Sequence, residues 1–186
     1  IKLSISGHKL LKMKRDGLII EFFELLPKVK DMRSQLVELY TVADKKLAVA
    51  MVADGKSALR SAANCVRTPP QVELSEYNIM GVVVPKIKVS TIQKSVEERG
   101  YGLIGTSVRI DESVHAFERL AEKVLEAAEL ETTMKKLLDE IESTKRRVNA
   151  LEFKVIPQLE EVAAYITLRL EELERENVFR LKRIKA

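Results

Sequence analysis

Tryptophan is absent, aromatic residues make up 5 % of the chain, and cysteine occurs once, at Cys65. So little aromatic mass argues against a compact globule around one large core. A single thiol excludes an internal disulfide and fits a reducing compartment. No apolar stretch approaches the roughly 18 residues that a membrane-spanning helix needs; candidates such as Leu47 to Ala53 are far shorter. No leader pattern is present, and the chain opens on Ile1 and not on methionine, so a native N-terminal segment is expected to precede it.

Chemistry-bearing constellations are equally scarce. His8 and His115 are the only histidines, far from each other and from Cys65, so neither a zinc site nor a Cys/His catalytic pair is expected. The acidic residues lie among Lys and Arg, as in the run from Glu171 to Glu176, which reads as a solvated helix flank and not as an acid/base pair. Ala50 to Ser57 (AMVADGKS) fits a relaxed phosphate-loop spacing. That loop needs a preceding strand and a glycine at its first position; here a helical pattern precedes it and the first position is Ala50. No catalytic residue, metal or cofactor is therefore expected.

What the chain has is charge and period. Charged residues reach 32 %, with a net charge of +4, a composition suited to long solvated helices carrying a narrow apolar stripe. Leu18, Phe22, Leu25, Val29, Met32, Leu36, Leu39 and Ala43 recur at alternating steps of four and three. Only a helix supercoiled on another helix needs such a seam. A second ladder, Ile141, Val148, Val155 and Val162, repeats at seven-residue intervals near the other end, with Leu151, Leu159, Ile166, Leu170 and Leu173 interleaved. Two such helices pair by folding back on each other. The reading is a mainly α chain, a long antiparallel two-helix coiled coil with a small head. It has an N-terminal shaft helix over 1–66, the head over 67–110, and a C-terminal shaft helix over 111–186. Bends are expected at Pro27 and Pro157, and a firm stop at Thr68, Pro69 and Pro70.

The head carries the strand material. Ile79, Val82, Val83, Val84, Ile87, Val89 and Ile92 are β-branched and punctuated by Gly81 and Pro85, enough for one short hairpin. A lone hairpin is marginal in water, so it must lean on the helices or on a partner. Ile79, Val82, Val84, Ile87 and Val89 are accordingly candidate partner contacts. Two basic clusters are the others: Lys145, Arg146 and Arg147, and the terminal Arg180, Lys182 and Arg183. Without interleaved aromatics or a base-reading module, nucleic acid is not the expected partner.

Four stretches carry a resemblance that spans almost the whole chain in order. They are Gly7 to Asp16 (GHKLLKMKRD), Tyr77 to Pro85 (YNIMGVVVP), Thr144 to Glu160 (TKRRVNALEFKVIPQLE) and Glu174 to Lys185 (ERENVFRLKRIK). Together they resemble the D subunit of the archaeal A-type and vacuolar V-type rotary ATPases. Pro27 is not a feature of that pattern. The resemblance implies a non-catalytic central-stalk rotor. Its paired terminal helices would insert into a ring of alternating catalytic A and B subunits. Its hairpin end would bind the F subunit of the stalk, with the C subunit linking the stalk to the membrane ring. It further implies a peripheral place on the cytoplasmic face of a membrane-bound complex, with no membrane span. A prefoldin-like chaperone arm and a nucleic-acid-binding helical hairpin are the competing readings.

Overall fold

The computed structural model describes residues 1–65, 71–89, 92–93, 99–101 and 106–185. Its elements are helix α1 (Lys2–Asn64), strands β1 (Val72–Ile79) and β2 (Val82–Val89), helix α2 (Val108–Ala150), a π-helical turn (Leu151–Val155) and helix α3 (Ile156–Lys185). The mainly α architecture with one antiparallel hairpin matches the expectation from period and composition. The expected stop at Thr68, Pro69 and Pro70 lies outside the described residues.

The chain forms two compact units, Ile1–Ile19 with Asp139–Ala186, and Ile20–Leu138. In the first, α1 and α2 run in opposite directions. Lys14 Nζ lies 2.8 Å from Glu140 Oε1, and His8 Nε2 lies 3.5 Å from Glu152 Oε2. Leu18, Thr144 and Val148 are buried there.

The second unit repeats the antiparallel scheme. Lys46 meets Glu112, and Asp54 accepts a hydrogen bond from the Ser107 hydroxyl. Val29, Met32 and Leu36 of α1 face Ala127 and Leu130 of α2 across one narrow cleft. Phe22, Leu25, Leu39 and their heptad neighbours are half-buried, while Ala43, Ala50, Ala127 and Leu137 are buried. Full burial is not confined to small residues: Leu18 and Leu137 are 0 % exposed and Ile110 and Val148 2 %. A small core of Ala50, Ala62, Tyr101 and Ile110 closes the head side, with Leu59, Cys65 and Val114 packed on it.

The backbone departs from α-helical geometry at Gly55 and just before Pro157. Backbone angles stay helical across Pro27; the one non-helical residue inside α1 is Gly55, at φ 81° and ψ 155°. Pro27 and Phe23, whose carbonyl would bond residue 27, are both exposed, so the freed carbonyl can turn to water. Near Pro157 the helix widens instead. Ile156 N–H donates to Leu151 O, five residues back, in the π turn that ends just before the proline. That wider turn makes room for the Pro157 ring against the preceding backbone.

Gly55 occupies a backbone region that is essentially restricted to glycine, although a Cβ there would meet nothing within 4 Å. Gly100 has φ +81° as well, and a Cβ would lie 2.7 Å from the Cys65 carbonyl oxygen. Gly55→Ala is expected to lower stability by about 1–3 kcal/mol, and Gly100→Ala by more. Urea denaturation followed by circular dichroism checks the order; a larger loss at Gly55 would contradict it.

Candidate functional site

The described residues assemble no catalytic centre. Among them no group of His, Cys, Asp or Glu is placed to hold a metal ion. The Ala50–Ser57 stretch is helix on both sides of Gly55, with Ala50 buried in the head core, so no strand-turn-helix cradle exists there for phosphate. The features left to explain are surfaces, and they fall on the hairpin, on the segment before α2, and along α3.

The hairpin turns tightly. Ile79 pairs with Val82 across Met80 (φ 49°) and Gly81 (φ 87°), two positive φ values that mark a type I′ turn. The Asn78 side chain accepts the Gly81 N–H at 2.7 Å. A two-residue turn makes Ile79 and Val82 a hydrogen-bonded pair, and pairs alternate from there. Tyr77 with Val84 and Ser75 with Lys86 therefore bond inward. Val83, Pro85 and Ile87 point their backbone groups outward from β2; Val72, Leu74, Glu76 and Asn78 do so from β1.

The outer edge of β2 is closed by α2. Lys136 Nζ donates to Val83 O at 3.0 Å, and Ile87 N–H donates to Glu129 Oε2 at 2.8 Å. Between them stands Pro85, with no N–H to offer, a residue tolerated in a strand only at such an outward position. Val82 and Val84 are buried, Ile79 and Ile87 half-buried. The opposite face carries Leu74 and Val83, both exposed. Of the five hairpin residues singled out from sequence, two thus face inward, and the side chain of Val89 lies outside what is described.

Arg99 anchors the segment leading into α2. It is 6 % exposed and spans two carboxylates, with Nη2 2.9 Å from Glu118 Oε2 and Nη1 3.5 Å from Asp111 Oδ1. Tyr101 donates its hydroxyl to Asp111 at 2.7 Å. Burial pulls the guanidinium down, but bonding toward Tyr101 and the Glu118 charge outweigh it and leave its pKa above the usual value. Burial, then the bond to Asp111, pushes the Tyr101 phenol up. Sequence patterning missed this cluster. Its one legible trace is that Asp111 and Glu118 stand seven residues apart, on one face of α2.

Along α2 and α3 the basic clusters are exposed. Arg146 pairs with Glu142 on its own helix at 2.8 Å, whereas Lys145 and Arg147 make no ion pair among the described residues. Arg180, Lys182 and Arg183 line an open surface notch with Phe179. Of the second ladder, Val162 and Ile166 are 54 % and 51 % exposed. Leu159, Leu170 and Leu173 share that exposure.

Antiparallel pairing of charged helices and a docked hairpin agree with what comparison finds. The family model for the D subunit of ATP synthase matches residues 1–186. The A-type ATP synthase D subunit of Methanococcoides burtonii is 60 % identical over 185 residues, covering 100 % of this chain and 90 % of that protein. Its namesakes in Methanosarcina mazei and Archaeoglobus fulgidus are 58 % and 54 % identical over 186 residues, each covered to 89 % of its length. A match of this length and identity shows the relation directly: the chain belongs to the family of ATP synthase D subunits.

Proposed function

We propose that this chain is the central rotor shaft of an A-type ATP synthase, a non-catalytic component that carries torque between an ion-driven membrane ring and a catalytic hexamer. The observation that carries this reading is the full-length family match at 50–60 % identity. As an ATP synthase component it works within a membrane-associated complex, and no described helix is long and apolar enough to cross a membrane. In the finer reading, alternating A and B subunits surround the helical shaft, while the F and C subunits of the stalk bind the hairpin end, all on the cytoplasmic face. Nothing favours the chaperone-arm or nucleic-acid-arm alternatives.

The physical chemistry suits the task. A shaft must not be held much more tightly at one angle than at another, and deep aromatic or arginine anchors would do that. A charged surface poor in aromatics avoids it. A shaft must also present unlike faces to successive catalytic interfaces; the Gly55 break and the π turn before Pro157 each make the two sides of a helix unlike. Knobs-into-holes packing at the seam resists sliding of one helix past the other, which is how twist becomes transmitted force.

Two measurements test the reading. Leu25→Asp places a charge in the half-buried seam, so reconstituted vesicles should hydrolyse ATP while losing most ion pumping; unchanged coupling would count against a torque-bearing seam. The exposed bases Lys145, Arg147, Arg180, Lys182 and Arg183 should make assembly with the catalytic ring salt-sensitive, because screening shortens to about 3 Å at 1 M salt. Assembly indifferent to ionic strength would remove these residues from the interface.

A further inference from the structure

We propose that the outer edge of β1 is a docking strand, completed in the assembled enzyme by an extended, base-bearing segment of a neighbouring stalk protein. The inference rests on the rotor-shaft reading above and specifies how the hairpin end meets its partner.

The hairpin treats its two edges differently. On β2 three successive outward positions each have one backbone group closed to a further strand: Val83 O is held by Lys136, residue 85 is proline and offers no N–H, and Ile87 N–H is held by Glu129. Such closing of an edge is how soluble proteins prevent unwanted strand pairing. On β1 no such device appears. The outward groups of Val72, Leu74, Glu76 and Asn78 find no backbone or side-chain partner among the described residues. No proline or lysine interrupts this eight-residue strand. One edge is interrupted at three successive outward positions and the other at none, and an uninterrupted edge is what strand addition needs.

The side chains specify the occupant. Leu74 is 72 % exposed on the outward face, Val72 stands half-exposed beside it, and Val83 lies farther along the same face, opposite Asn78. Glu76 lies on that same face, and Glu73 on the other; β1 contains no basic residue. On the Glu73 face, Tyr77 feels Glu129 and Glu21 close by. An added strand therefore gains by placing apolar residues beside Leu74 and Lys or Arg beside Glu76, since opposite charges across a ladder stabilise and like charges do not; Glu73 already stands opposite Lys88 within the hairpin. A second copy of β1 would bring two further carboxylates and no base to the same edge, so self-pairing is disfavoured.

Residue-resolved amide hydrogen exchange tests this, on the full chain alone and in complex with the other stalk and catalytic subunits. In the free chain, the inward amides of Ser75 and Tyr77 should be protected and those of Leu74 and Glu76 fast. In the complex, Leu74 and Glu76 should slow by about tenfold or more. Leu74→Pro removes one outward donor without touching the inner ladder, as Pro85 already does on β2, and should weaken assembly by about tenfold. Leu74→Ala, which keeps the N–H, should weaken it less, and Glu76→Lys should weaken it through charge. If Leu74→Pro also strips protection from Ser75 and Tyr77, the test passes to Glu76→Lys, where unchanged affinity overturns the proposal. Fast exchange at Leu74 and Glu76 within a stable complex overturns it while leaving the shaft reading intact. Failure to assemble at all refutes both. Protection that grows with concentration of the free chain would make the occupant a second copy and overturn it as well.

Discussion

Replacing Leu137 by alanine should lower the unfolding free energy by about 3 kcal/mol, and Leu137→Asp should abolish the helix pairing around it. Leu137 is fully buried, on the face of α2 that also buries Thr133 and Thr144. Truncation removes the side chain's transfer free energy and leaves a void that two paired helices cannot fill from a third layer. A carboxylate buried at the same place would pay for its desolvation without a built partner. The neighbouring Leu138 is 45 % exposed, and Leu138→Ala should cost well under half as much. Urea denaturation of the isolated chain measures both. Equal losses at the two positions would mean that the seam is not where stability resides.

The second large effect is expected at Arg99. Arg99→Met removes the cation that spans Glu118 and Asp111, whose side chains are 12 % and 28 % exposed. Removing one member of a buried pair is costly because the others stay behind uncompensated, and a loss of about 3–5 kcal/mol is expected. The pair need not add much net stability itself, since bringing the charges out of water costs nearly what their attraction returns. The double variant Arg99→Met with Glu118→Gln should therefore recover part of the loss, which additivity would not predict. Losses that simply add would show that Arg99 and Glu118 do not act together. Because Tyr101 donates to Asp111 in the same cluster, its signal is a suitable local reporter.

Much of the helical pairing was legible because burial by a single neighbour writes a seven-residue period into a chain. From Leu18 to Ala43 every seam position is apolar, and each one proves half-buried or buried. The return ladder was legible only from Ile141 onward. Its upstream members, Ser113, Leu120, Ala127 and Met134, keep the same spacing, yet Ser113 breaks the apolar pattern. Ser113 is nonetheless buried, because its hydroxyl donates to Ile110 O within its own helix and needs no outside partner.

The head was less legible for a different reason. β1 alternates valine, leucine and tyrosine with glutamate, serine and asparagine, so its sequence carries a weaker apolar signal than β2. Gly81 and Pro85 read alike as interruptions, yet one makes the turn and the other sits inside β2 where its missing N–H costs nothing. The Arg99 cluster depends on a contact between a non-periodic segment and α2, and no local pattern announces it.

The shaft reading is tested most directly by watching the chain turn. A Lys88→Cys variant in a Cys65→Ser background carries a bead at an exposed position of β2, and the assembled catalytic ring is fixed to a surface. On adding ATP the bead should rotate in one direction, with discrete pauses. A bead that stays still while the same complexes hydrolyse ATP would contradict the assignment of this chain to the rotor.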